Sequence, residues 1–164
     1  MHEYLLWLTL AAYAAHVLEE ATLDWKNWAV QSLHLLNVEW SIFYVANMAV
    51  MFIAIAAAMV GWKLPIFALI IPALMLINGL FFHILPTLFQ RVISPGVITA
   101  TFLFLPISIW VYYAAYQDGV LNIFNLLGSL LLGGLLMAFP ILLLKLRAKL
   151  QIQKNRDGAS LNHS

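Results

Sequence analysis

Cysteine is absent from the 164 residues, and only 9% of them are charged. The first absence excludes thiol catalysis, thiolate metal ligation and haem attachment through cysteine, and it leaves the redox compartment unread. The second excludes more. A soluble domain is about 25% charged and about 45–50% apolar. Here 64% of residues are hydrophobic, and too little charge remains to cover a water-facing surface. A soluble globular domain, a disordered chain and a disulfide-stapled secreted module all drop out. Eight Lys+Arg against seven Asp+Glu leave a net charge of +1. No basic stripe is available to track phosphates, so no nucleic acid is expected as a partner. What remains is an all-α polytopic membrane bundle.

A membrane-crossing helix needs about 20 mostly apolar residues, because the hydrocarbon core is about 30 Å thick and each residue rises about 1.5 Å. Five segments meet that need, at about residues 4–22, 40–61, 64–88, 96–117 and 120–144. Glu3 stands where a signal peptide would carry basic charge, so the first is not expected to be cleaved. Between the first two, residues 25–37 place Trp25, Trp28, Ala29, Leu33 and Leu36 at helical spacing. That pattern predicts a short interfacial helix with tryptophans at headgroup depth. Residues 1–148 then form the membrane domain, and 149–164 form a basic, disordered tail. Pro72, Pro106 and Pro140 should kink or open the last three spans. Ser129 and Gly133 form a small-xxx-small pair suited to close helix packing.

In the five-span frame, Lys26, Arg91, Lys145, Arg147, Lys149, Lys154 and Arg156 fall on one side, and Lys63 alone on the other. The positive-inside rule then puts the N-terminus outside and the C-terminus in the cytoplasm. The basic tail would lie beside anionic lipid.

The same frame gathers polar residues at one depth. His16, Glu19, Glu20, Asn47, Asn78, His83 and Thr99 all fall in a slab of the cytoplasmic leaflet. An ionisable residue inside a span is costly and marks function by default. In His16-Val17-Leu18-Glu19-Glu20, positions i+3 and i+4 both return to the face of the histidine. Two neighbouring carboxylates in a low dielectric do not both stay ionised without a compensating cation. Either one is protonated, or His16 is cationic, or a metal is present.

Each residue also has a bland alternative. Glu19 and Glu20 can end the first span early and meet Lys26 in headgroup water. His83 can cap carbonyls freed by Pro86. Asn47 and Asn78 can serve as interhelical glue. Thr99 can bond its own backbone. His34 belongs to the interfacial helix and is expected to be solvated. Asn78 and His83 are five apart, about 140° round a helix, so they share a face only if Gly79 or Pro86 distorts the turn.

Three functions compete. In an intramembrane enzyme acting on a hydrophobic or lipid-like substrate, His16, Glu19, Glu20 and His83 are catalytic, and Asn47, Asn78 and Thr99 orient the substrate. Its metal version has His16, Glu20 and His83 binding Zn²⁺ or Fe²⁺, with the other glutamate as base, and suits hydrolysis or oxidation. Its metal-free version passes protons between carboxyl and imidazole, and suits isomerisation. In a proton-coupled binding or transport protein the same groups form a relay, although no inverted repeat is present. In a structural subunit they face a partner helix. Membrane lipids and a hydrophobic small molecule are the expected partners, and a homo-oligomer stays open.

The motif residues also carry a resemblance. His16-Val17-Leu18-Glu19-Glu20 resembles the signature of the bacterial membrane proteins named for an HXXEE motif. Asn78-Gly79-Leu80-Phe81-Phe82-His83 and Ser94-Pro95-Gly96-Val97-Ile98-Thr99 are similar to later Asn/His and Pro-Gly elements of that family. The resemblance covers the five-span core and leaves out the tail. It implies an uncharacterised protein of the bacterial inner (cytoplasmic) membrane whose polar residues suggest an enzyme. More loosely, His16 and Glu20 resemble the His-x-x-x-Glu of EXPERA-type sterol isomerases. That likeness implies, by analogy of mechanism, an acid/base pocket opening within the membrane.

Overall fold

The computed structural model describes residues 1–32, 39–140 and 142, and every regular element among them is helical. In chain order these are α1 (Leu5–Thr22), α2 (Trp25–Ser32) and α3 (Trp40–Val60), the last closed by a 3₁₀ turn over Gly61–Lys63. They are followed by α4 (Pro65–Gln90), α5 (Val97–Gln117) and α6 (Ile123–Pro140). The basic tail, and the expected interfacial helix beyond Ser32 with Leu33, His34 and Leu36, lie outside the described residues.

Among the described residues, four helices are long and apolar enough to cross a membrane: Trp40–Lys63, Pro65–Gln90, Val97–Gln117 and Ile123–Pro140. The expected count of five is corrected by α1. That helix has the anticipated bounds, but His16, Glu19, Glu20 and two threonines in 18 residues dilute its apolar character. Its buried positions, Leu5, Leu6, Thr9, Ala12, Tyr13, His16 and Glu20, trace a single stripe of helical period. The stripe packs against α3, α4 and α5. The expected interfacial helix appears as the eight residues of α2, which bury Trp28 and Ala29.

Prolines shape α4 and α5. A proline removes one backbone N–H and crowds the carbonyl four residues earlier. Pro72 breaks α4 at Leu69, next to the affected Ala68 carbonyl. Pro86 and Pro106 act differently. Each lies two residues beyond a π-helical segment, Gly79–Ile84 in α4 and Ala100–Phe104 in α5. The carbonyls they strand, those of Phe82 and Phe102, fall inside these segments, where the ladder has shifted to i→i+5 bonding. The two π segments face each other: a Cβ on Gly79 would lie 3.6 Å from the Cβ of Ala100 and 3.7 Å from that of Phe104.

Leu5, Leu6, Val50, Ala54, Leu74, Met75, Phe104 and Val111 form the core between α1, α3, α4 and α5. Helix α6 is added from outside. A Cβ on Gly133 would come within 2.8 Å of the Ala73 Cβ and the Leu74 nitrogen, so α6 meets α4 almost backbone to backbone. Tyr112 and Ser129 are hydrogen-bonded across the α5–α6 contact at 2.9 Å. The small-residue pair is thus used within the chain.

One end of the bundle is clasped by polar groups. Asp118 accepts hydrogen bonds from the His2 backbone N–H at 2.5 Å and the Trp62 indole N–H at 2.9 Å. Glu3 Oε1 accepts from the Trp62 backbone N–H at 2.7 Å. The His2 backbone N–H above all, with the Trp62 and His2 side chains, holds the Asp118 carboxyl down to about 2. The start of α1 is thereby tied to the α3–α4 and α5–α6 turns.

Candidate metal centre

Helix α1 reaches the opposite end of the bundle with His16 and Glu20 on one face, a turn apart. The π segment of α4 presents His83 to them. His16 Nε2 and His83 Nε2 lie 3.6 and 3.5 Å from the same oxygen, Glu20 Oε1. The two rings meet edge to face with centroids 4.7 Å apart. All three residues are buried: 1% exposed for each histidine and 5% for Glu20.

Hydrogen bonding favours a protonated Nδ1 on His16 and is compatible with the same tautomer on His83. Glu19 Oε1 accepts from the N–H groups of Gly96 and Ile98, each at 3.1 Å. Its Oε2 accepts from the Thr99 N–H at 2.7 Å and the Thr99 hydroxyl at 2.6 Å. Thr99 has one hydroxyl proton, and the carboxylate takes it. Toward His16 Nδ1, 2.7 Å away, the hydroxyl oxygen therefore accepts, so Nδ1 carries the hydrogen. Ser94 lies 3.0 Å from His83 Nδ1 and directs its own hydroxyl at the Phe82 and Pro95 carbonyls, both at 3.4 Å. With Nδ1 protonated on His83 as on His16, Ser94 accepts from the ring and both imidazoles turn an unprotonated Nε2 toward the Glu20 carboxyl oxygen.

Two imidazole nitrogens and a carboxyl oxygen that converge in this way match the donor set of a divalent cation. Ligands about 2.0–2.2 Å from a tetrahedral ion lie about 3.3–3.6 Å from one another. The His16, Glu20 and His83 ligand atoms all fall within 4.8 Å of one another. Imidazole Nδ1–H groups held by oxygen partners are the usual outer support of histidine ligands. The residues fit a metal.

The surroundings hold the trio closely. Gly96 has φ +98°, and a Cβ there would stand 2.7 Å from His16 Cε1 and 2.8 Å from His83 Cε1. Only a glycine lets the α4–α5 turn cross both rings. Phe104 covers His16 at a centroid distance of 4.2 Å, and Tyr13 stacks on Phe104.

The expected site residues part company here. His16, Glu20 and His83 come together. Glu19, expected as the base, instead has both oxygens on the N-terminus of α5, where unpaired N–H groups and the helix dipole favour an anion. Thr99 joins it to His16. Asn47 stands apart, accepting from the Tyr13 hydroxyl at 2.6 Å and donating to the Phe43 carbonyl at 3.0 Å. Asn78 shares the buried face of His83, because the π register brings the fifth residue round to the face of the first. Sequence reasoning missed Ser94 and Tyr13. Ser94, the hydroxyl before Pro95-Gly96, takes the part that the sequence suggests for His83: it reaches the Phe82 carbonyl stranded by Pro86. Tyr13 carried a signal in its i,i+3 spacing to His16.

A family model described as a protein of unknown function with HXXEE motif matches residues 7–111. The match runs from α1 into α5 and includes every residue of the centre. Neither the curated proteins nor the solved structures offer a match. The looser likeness to EXPERA-type isomerases therefore gains no support. With His16, Glu19 and Glu20 forming the motif, and more than half of the chain matched, this protein belongs to the HXXEE-motif family.

Proposed function

We propose that the protein is a membrane-embedded, metal-dependent enzyme acting on a hydrophobic or lipid-like substrate, with His16, Glu20 and His83 as the metal ligands. One observation carries it: two imidazole Nε2 atoms converge on a single carboxyl oxygen, all of them buried. Three protein ligands leave a further position open, as in catalytic rather than structural sites. Two imidazoles and a carboxylate suit Zn²⁺ or Fe²⁺. Such an ion would supply Lewis-acid polarisation of a substrate oxygen or of water, the chemistry of hydrolysis or oxidation. Glu19 and Thr99 orient His16, Ser94 orients His83, and Phe104 excludes water.

The substrate class follows from the surroundings. Leu18, Phe81, Ile98 and Phe102, on the three helices that build the centre, are large, apolar and exposed. A hydrophobic molecule would arrive among them through lipid. In this proposal α1 is a fifth membrane-embedded helix, sheltered by α3, α4 and α5. The N-terminus lies outside, and the centre sits toward the cytoplasmic face of a bacterial inner membrane.

Elemental analysis of the detergent-purified full chain tests this. About one equivalent of Zn or Fe is expected, falling below about a tenth of an equivalent in His16→Ala and His83→Ala. Folded wild-type protein with far less than stoichiometric metal, even after incubation with either ion, would overturn it.

A further inference from the structure

Among the described residues, four buried side-chain atoms have no hydrogen-bond partner: His16 Nε2, Trp28 Nε1, Asn78 Oδ1 and Ser108 Oγ. The first belongs to the metal centre. Ser108 stands a full turn beyond Phe104 on α5, and its hydroxyl can rotate onto its own helix backbone. Trp28 Nε1 is a donor on α2, a helix that supplies none of the three ligands. Asn78 Oδ1 is different. Its residue is only 7% exposed, an amide oxygen cannot rotate onto its own helix as a hydroxyl donor can, and an unmet buried acceptor costs stability.

Its position is built. The π segment that begins at Gly79 puts Asn78 on the buried face of His83, five residues or about 5–8 Å along α4. Gly79 holds that part of α4 against Ala100 and Phe104. Phe104 in turn covers the His16 ring. An acceptor with nothing to accept therefore stands on the buried side of α4, one residue before the glycine that packs against Phe104.

We propose that Asn78 Oδ1 anchors the substrate by accepting a hydrogen bond from it. The substrate class is then an apolar molecule with a hydroxyl or amide N–H within about 5–8 Å of its reacting group, about the rise over the five residues from Asn78 to His83, such as a long-chain alcohol or an amide-linked lipid. This rests on the metal-centre proposal for the location of the reacting group. A site built to pair a substrate donor discriminates strongly against the analogue that lacks it, because the buried partner is left unmet.

Asn78→Leu removes the acceptor at similar volume and separates the outcomes. Without added ligand, the Tm of the full chain is expected to stay level or rise. Asn47→Leu, which breaks two hydrogen bonds, is the comparison and should lower it. A fall for Asn78→Leu as large as that for Asn47→Leu marks a structural amide and overturns the proposal. Binding is then measured with 1-dodecanol and dodecyl methyl ether, which share a chain and differ in the donor. Wild type should bind the alcohol about tenfold more tightly or better, and Asn78→Leu should bind both alike. Equal binding by wild type, or a preference that Asn78→Leu retains, overturns the proposal. Both measurements run on protein incubated with Co²⁺ and on chelator-treated protein. Failure to take up Co²⁺ counts against the metal centre alone, while an alcohol preference lost in Asn78→Leu still supports the anchor.

Discussion

His16 and Glu19 are joined through one hydroxyl: Thr99 Oγ1 lies 2.7 Å from His16 Nδ1 and 2.6 Å from Glu19 Oε2. Neighbours on α1 thus communicate through α5. The arrangement makes Glu19 a positioning residue, which sets the tautomer and angle of the His16 ring while securing the start of the helix that supplies Thr99.

Glu19→Gln should therefore weaken metal binding without removing a ligand. The amide keeps the shape but can no longer accept at both ends, and loss of outer support costs about 10–100-fold in affinity. Thr99→Ala should behave likewise, and Thr99→Ser should restore most of the affinity. Competition titration against a chelator reads all three. Unchanged affinity in Glu19→Gln would detach this residue from the centre.

Gly96→Ala places a methyl group 2.7 Å from His16 Cε1 in a left-handed conformation. A cost of about 1–3 kcal/mol for the backbone alone, with displacement of both rings, should lower both Tm and metal content. Gly119 has φ +71°, and a Cβ there would meet nothing within 4 Å. Gly119→Ala should be the milder change and leave metal content intact.

Tyr13→Phe strands the Asn47 oxygen. It should cost about 1–3 kcal/mol, seen as a lower Tm, with metal stoichiometry unchanged. A loss of metal would instead draw Tyr13 into the centre.

At the clasped end, the Asp118 carboxyl lies at about 2 in the folded protein against an ordinary 3.8. A group depressed in this way stabilises the fold fully above about pH 4, and the benefit fades as pH falls toward 2. Asp118→Asn should thus have a lower Tm than wild type at pH 7, and the gap should narrow between pH 4 and pH 2. A gap that does not change across that range would show that the carboxylate charge contributes nothing there.

Much of this was legible in the chain. Apolar runs bounded α1, α3, α4 and α5 to within a few residues, since length and composition determine what can cross a membrane. The i,i+4 spacing of His16 and Glu20 predicted one shared face, and a common depth predicted that His83 would meet them. The failures were tertiary. Pro86 must disturb α4, but whether a helix absorbs a proline by bending or by shifting register depends on what packs beside it. Here Ser94 and the facing π segment of α5 favour the shift, which turns Asn78 and His83 to one side. Adjacency pairs Glu19 with Glu20. Nothing in it shows that the N-terminus of α5 will stand over one carboxylate and not the other. Helix α1 has the length of a span, but its own polar residues keep it less apolar than the four helices that follow.

The prolines and Gly96 also bear on how the protein is made. His16 and Glu20 emerge early, and must wait for the whole of α3 and most of α4 before His83 joins them. Thr99 and Glu19 lock together only after α5 has followed. If ion capture contributes folding energy, it does so late in synthesis, at the moment the third and fourth long helices close on the first. Metal supply would then govern how many chains survive quality control, as well as how many are active.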